Sequence, residues 1–365
     1  MPSLFWTGKL TFPMRLIING NNLLALVVGN ATNTDAMKSR VKEGYEARFS
    51  QHVERYDELG LALQDRSAEI QLQGLQLPGQ SVLDIGCGTG VVALHALRAG
   101  ARDAVCGDIS MHIMEPAKHK ILPQPGTLRL TQLDAEDLPF ADNSFDAVLS
   151  GMSFGLFPDQ PKALREMVRV AKPGGLVCIA AHGPEHYWEA IDAWFRCVSK
   201  RRVLGYRLEF WPRTEAYLRR LAGIPELEDL HSHREVWKTT FSSGGAMYDF
   251  FAAVTALWWY ASFPPSEVAR ETERTKEYFE RKRLDTITDD VVAVWGRKVE
   301  SPWAQRASSD CRSTSPLSPR ELSDLPSAER ASISECAEYV TCNKQAPDIP
   351  LAAECRALRL RYELR

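Results

Sequence analysis

Asp84-Ile85-Gly86-Cys87-Gly88-Thr89-Gly90 joins two apolar runs, Ser81 to Ile85 before it and Val91 to Leu97 after it. The first run is short and ends at the glycines, and the second has its apolar residues at helical spacing, so strand, glycine turn and helix follow in order. Three glycines at alternate positions let the backbone pass close beneath a ligand and leave amide donors at the start of the helix. The dinucleotide fingerprint G-x-G-x-x-G does not fit: the third glycine falls one place early and Val91 stands where that pattern wants glycine. A P-loop fits less well, because no Lys-Ser or Lys-Thr follows. Asp84 at the strand end would repel a pyrophosphate, whereas it would attract a ligand carrying an ammonium and a sulfonium.

Outward from this turn, strands and helices alternate. Ala104 to Gly107 reads as a second strand ending in Asp108, with Ser110 placed to cap the next helix. Leu128 to Leu133 and Phe145 to Ser150 are a third and a fourth strand, and Lys162 to Ala171 is a helix stopped by Pro173 and Gly174. Leu176 to Ala181 is a fifth. Such alternation predicts a parallel sheet covered on both faces, with ligands bound at the carboxyl ends of the strands near the reversal of winding.

Four segments in this order, VLDIGCGTG (82–90), CGDIS (106–110), LDAEDLPFADNSFDAVLS (133–150) and RVAKPGG (169–175), resemble the class I S-adenosylmethionine-dependent methyltransferases. The resemblance is closest to the branch that includes the ubiquinone/menaquinone-biosynthesis C-methyltransferases. It implies an α/β, Rossmann-like, seven-stranded and mostly parallel sheet with helices on both faces and a helical cap inserted near the C-terminal strand pair. It implies S-adenosylmethionine as cofactor, with Asp84 orienting the methionine end against the backbone of Gly86, Cys87, Gly88 and Gly90. Asp108 is then the acceptor for the ribose hydroxyls, Ile109 a cover for the adenine, and Asp134 with Ala135 the partner of its amino group. Ser150 marks the boundary between cofactor and acceptor, and Tyr45 and Tyr56, on a helix before the sheet, form a lid. Cys87 reads as a small filler, since methyl transfer needs no covalent enzyme intermediate.

The reaction so implied is the transfer of a methyl group to a small-molecule acceptor by in-line displacement, for which the protein supplies mainly position. His182 and His186, just beyond the fifth strand, are the candidate bases, and the plainer reading of each is a hydrogen-bonded structural residue. Phe154, Phe157, Tyr187, Trp258 and Trp259 are candidate walls of the acceptor pocket. The stretch YDFFAAVTALWWY (248–260) that supplies the two tryptophans is apolar on every side, which equally suits plain core. A catalytically silent scaffold that keeps the cofactor fold is the alternative function, and an RNA methyltransferase a weaker one.

The 365 residues carry 44 Lys and Arg against 47 Asp and Glu, a formal charge of -3, so a nucleic-acid partner is not expected. Eight cysteines without Cys-x-x-Cys or zinc spacing predict neither a disulfide framework nor a structural metal, and fit a reducing compartment. Residues 1–36, with Lys9 and Arg15 and no acid before Asp35, read as an extension. Their apolar run from Leu16 is broken by Asn19, Asn21 and Asn22 and is shorter than the ~20 residues a membrane span needs. A cytoplasmic location is expected, or an organellar one if this extension is a transit peptide. Residues 37–300 are the expected methyltransferase domain, with cap helices at about 184–222 and 243–283, and the Ser- and Pro-rich 301–365 an expected disordered tail.

Overall fold

The computed structural model describes residues 42–43, 53–120, 127–198, 215–256 and 264–299. The expected extension and tail lie outside the described residues, as do Tyr45, Trp258 and Trp259.

Helix α1 (Val53–Leu72) precedes the glycine unit, which folds as read: β1 (Ser81–Ile85), the turn, and α2 (Val91–Arg98). β2 (Asp103–Asp108), α3 (Met111–Lys120), β3 (Thr127–Gln132), β4 (Phe145–Ser150), α4 (Gln160–Val170) and β5 (Ala171–His182) follow. The rest comprises α5 (Trp188–Cys197), α6 (Glu215–Ala222), β6 (Leu227–Thr240), α7 (Gly244–Phe251), α8 (Pro265–Arg281) and β7 (Thr286–Lys298).

The seven strands form one sheet in the order β3-β2-β1-β4-β5-β7-β6. The first five are parallel, and β7 runs antiparallel to both β5 and β6. β1 lies between β2 and β4, so the winding reverses at the end of β1, where the glycine turn stands. Alternate residues of each strand feed different layers. Leu83, Ile85, Val148, Val177 and Ile179 pack with α4 and α6, whereas Val82, Ala104, Ala147 and Cys178 pack with α2 and α3. All of β1 is buried, Asp84 included.

A third core lies between α5, α7 and α8, where Trp194, Phe195, Tyr248, Phe251 and Phe279 are each at most 1% exposed. This is the cap. It is fastened to the sheet through β7: Asp290 accepts hydrogen bonds from Arg234 Nε at 3.0 Å, Arg234 Nη2 at 2.8 Å and the Glu185 N–H at 2.8 Å. The Tyr187 N–H donates to the Thr288 carbonyl at 2.7 Å, and Glu189 accepts from the Thr288 N–H and hydroxyl at 2.9 and 2.5 Å.

Several boundaries differ from the sequence reading for local reasons. α4 begins at Gln160 because the Asp159 side chain caps it, accepting the Lys162 N–H at 3.1 Å with Pro161 in the first turn. It ends at Val170, before Pro173, and β5 begins at once with Ala171. Within the cap span expected at about 184–222 the first helix starts only at Trp188, since Tyr187 holds a left-handed φ of 54°. β6 starts at Leu227 and crosses a bulge that carries Asp229 at φ 51°.

Candidate functional site

One cavity runs from the carboxyl ends of β1, β2 and β3 to the end of β5, roofed by α1. Its floor is the glycine turn. Gly86 and Gly88 have φ of 65° and 53°, which glycine alone adopts without strain. Gly86 also has no room for a side chain, because a Cβ there would lie 2.4 Å from Ser153 Oγ.

Asp84 lines the cavity yet is fully buried. Its Oδ2 accepts the Ala93 N–H at 3.2 Å, and its Oδ1 has no hydrogen-bond partner among the described residues. Burial pushes its pKa up to about 7, against the pull of the Ala93 bond, and the nearby Asp108 adds to the rise. Asp108 lines the next stretch, its Oδ2 taking the Gly88 N–H at 3.0 Å and its Oδ1 the Ser110 N–H at 3.1 Å. Burial raises its pKa as well, opposed by those backbone bonds.

Beyond Asp108 come Ile109, Leu133, Asp134 and Ala135, and with them Lys42. Lys42 Nζ lies 2.6 Å from Asp134 Oδ2 and 3.2 Å from Glu136 Oε2. Burial works against this ammonium, but its two carboxylate bonds outweigh it and hold its pKa above the usual lysine value. The opposite end is uncharged. Tyr56, Leu63, Leu156, Phe157, Tyr187, Val254 and Thr255 stand there with His182, whose pKa burial lowers to about 3. Burial drives Tyr56 up to about 12, with Asp108 contributing, and holds Tyr187 well above the usual tyrosine value. At neutral pH every one of these side chains is neutral.

The cavity thus brings together Asp84, Gly86, Cys87, Gly88, Asp108, Ile109, Asp134, Ala135, Tyr56, Phe157, Tyr187 and His182 of the residues read from the sequence. Four others do not reach it. Gly90 is a packing glycine: at φ 80° it starts α2, and a Cβ there would sit 2.7 Å from the Ala117 Cβ. Ser150 lies behind the wall, where its carbonyl takes the Gln71 Nε2 hydrogen bond at 3.0 Å and its hydroxyl meets Ser153 Oγ at 3.1 Å. Phe154 is not a pocket wall, for it is fully buried in the core on the α4 side of the sheet. His186 is not placed as a base: it is fully buried, its Nδ1 accepts the Asp290 N–H at 3.0 Å, and burial beside His182 pushes its pKa well below the usual histidine value.

The sequence reading missed Lys42 and one face of α1. Gly60, Gln64, Ser67 and Gln71 line the cavity at spacings of four, three and four. A polar stripe on a helix that must pack against a sheet was the available signal. Lys42 has none, since its partners lie 92 residues away.

Residues 83–179 match the family described as "Methyltransferase domain". A demethylmenaquinone methyltransferase of Desulfitobacterium hafniense is 39% identical over 104 residues, 27% of this chain and 41% of that protein. A ubiquinone/menaquinone biosynthesis C-methyltransferase of Idiomarina loihiensis is 41% identical over 105 residues, 28% of this chain and 42% of that one. A malonyl-[acyl-carrier protein] O-methyltransferase of Halorhodospira halophila is 32% identical over 159 residues, 42% of this chain and 53% of that one. The chain spans about half the length of these relatives or less. No described helix is long and apolar enough to cross a membrane. Segment 83–179, which carries the glycine turn at the switch point of the sheet, is thus similar to the methyltransferase domain of these relatives.

Proposed function

We propose that the protein transfers the methyl group of S-adenosylmethionine to a small, uncharged acceptor. The observation that carries this reading is the polarity of this cavity: a buried carboxylate oxygen without a partner among the described residues over the glycine turn at one end, and neutral side chains at the other. The cofactor fits the first end. Asp84 Oδ1 is an acceptor awaiting a donor, Asp108 has spare lone pairs for a diol, and Asp134 with Ala135 stands where an adenine would reach. When bound, the cofactor supplies an electrophilic methyl carbon on a sulfonium.

The chain's own residues would then hold two partners in line and keep water out, which can lower a barrier by ~7–11 kcal/mol. His182 stays neutral and can share a hydrogen bond with the acceptor, but it does not store a proton at neutral pH. A carboxylate acceptor, such as the malonyl group in the name of one relative, would find no free cation: Lys42, the cation lining the cavity among the described residues, is already paired with Asp134 and Glu136. Burying an unpaired anion there would be costly. An apolar or aromatic acceptor meets Tyr56, Phe157 and Tyr187 instead.

Titration calorimetry with S-adenosylhomocysteine should give one site per chain, and a panel of acceptors should release it fastest from neutral ring compounds. Absence of binding would end the cofactor reading. Turnover confined to carboxylates or amines would end the uncharged-acceptor reading. His182→Gln should leave the neutral-pH limb of the rate profile where it is, because the imidazole does not titrate there.

A further inference from the structure

The end of the sheet away from the glycine turn carries a second, smaller cavity that shares no residue with the first. Gln80, the residue before β1, stands on one wall, and Leu176 of β5 and Trp295 of β7 make the apolar side. His231 faces Trp295 across the β6–β7 pair, and the two rings stack with centroids 5.8 Å apart and planes 24° from parallel. The bulge between Glu228 and His231 brings Asp229 to the same cavity, and Arg297 of β7 completes it.

Its polar groups say what kind of ligand fits. Arg297 Nη1 donates to the Gly174 carbonyl at 2.9 Å, which leaves the other donors of the guanidinium. Neither Arg297 nor Asp229 has an ion-pair partner among the described residues, although both line one small cavity. Gln80 Oε1 is buried and accepts no hydrogen bond among the described residues, a rare condition for a buried polar atom. A ligand with a single negative charge would meet Asp229 as well as Arg297, and one with a single positive charge would meet Arg297 as well as Asp229. A cation, an anion and a neutral acceptor beside an apolar wall are the complement of a zwitterion, a carboxylate and an ammonium on one carbon that also bears an apolar group. A further charge on that group would be set against Leu176 and Trp295, at a cost in desolvation.

We propose that this second cavity binds a free α-amino acid with an apolar side chain, its carboxylate on Arg297, its ammonium between Asp229 and Gln80 Oε1, and its side chain against Leu176 and Trp295. The site is separate from that of methyl transfer and does not depend on the cofactor reading. It lies on the segment that joins α1 to β1, the roof and the floor of the first cavity.

Calorimetry on the full chain would compare L-leucine with 3-methylbutylamine, which lacks its carboxylate, with 4-methylpentanoate, which lacks its ammonium, and with L-glutamate. Leucine should bind with a Kd of ~0.1–1 mM, the range open to a ligand of so few atoms, and about tenfold or more tighter than the other three. Arg297→Gln should remove the advantage of leucine over 3-methylbutylamine, and Asp229→Asn its advantage over 4-methylpentanoate. Gln80→Met should act as Asp229→Asn does, more weakly. Asparagine accepts the φ of 51° that Asp229 holds, and a melting temperature within about 2 °C of normal would confirm that each variant is folded. Saturating S-adenosylhomocysteine should leave the leucine titration unchanged. No binding of leucine at ~10 mM, competitive displacement by S-adenosylhomocysteine, or folded variants that bind leucine as the unaltered chain does would each overturn the proposal. A chain that binds leucine and no S-adenosylhomocysteine would sink the cofactor reading and leave this one standing.

Discussion

Asp84→Asn is expected to lower affinity for S-adenosylhomocysteine by about 100-fold or more at pH 8 and, at the same pH, to raise the melting temperature of the ligand-free protein. Both effects follow from one buried carboxylate. Asparagine would give its amide oxygen to the Ala93 N–H, as Asp84 Oδ2 does now, and turn its NH2 toward the place where an acceptor is needed. An ammonium would then meet donors. The stability gain has the opposite origin. With a folded pKa of about 7 against 3.8 for an ordinary aspartate, the group favours the folded state in its protonated form. That contribution is complete below about pH 4 and is lost as pH rises through 7, the ionised form costing about 4 kcal/mol above it. Asparagine removes the cost at all pH values. The same linkage sets the ligand dependence in the unaltered protein: a bound ammonium favours the carboxylate, so binding below about pH 7 must expel a proton, and affinity should fall as the medium is acidified and level off above 7. Calorimetry in buffers of different ionisation enthalpy would register that proton. A variant that binds normally, or one that melts lower at pH 8, would remove Asp84 from this role.

The stretch 84–90 was legible because its requirements are local. Positive φ calls for glycine at Gly86 and Gly88, a requirement of the turn itself, and the acid before them closes a strand that is buried throughout. Gly90 shows the limit of that reasoning: it meets the same backbone requirement, but its neighbour is Ala117 of α3, a contact no local pattern announces. Phe154 and Phe157 make the same point. They are three residues apart in one short loop, in edge contact with ring centroids 5.6 Å apart, and one is core while the other lines the cavity. His182 and His186 looked equivalent in sequence, yet His186 is turned inward by the Asp290 N–H. What remained unread was tertiary in origin: Lys42 reaching across to Asp134, and the polar face of α1 that only its seat above β1 explains. β6 follows the same rule, since its residues alternate between half-buried and exposed and it holds its place in the sheet by pairing with β7.

Arg234→Met should cost about 3 kcal/mol of stability and lower the melting temperature by roughly 6–12 °C, far more than the loss of any exposed ion pair. Arg66–Glu69 and Lys118–Glu115 are pairs of half-exposed side chains on helix surfaces, and such pairs contribute ~0–1 kcal/mol. Asp290 differs because it is 0% exposed. Removing Arg234 would leave it an unpaired charge with a single backbone donor, the Glu185 N–H. Water cannot reach it readily: Gly183 packs so tightly on it that a Cβ there would lie 2.1 Å from Asp290 Oδ1. The double variant Arg234→Met, Asp290→Asn should recover part of the loss, since the stranded charge is gone, and this recovery separates a buried charge from mere lost packing. The loop from Gly183 to Tyr187 hangs on the same carboxylate through the Glu185 N–H and on β7 through Thr288. Its loosening should therefore reach Tyr187 and His182 at the acceptor end while Asp84 and Asp108, on β1 and β2, stay in place. S-adenosylhomocysteine binding at a temperature where the variant is folded is expected to stay within twofold of normal. A melting temperature within 2 °C of the unaltered protein would show that Asp290 finds other partners, and a matching loss of cofactor affinity would show that the two ends of the cavity are not independent.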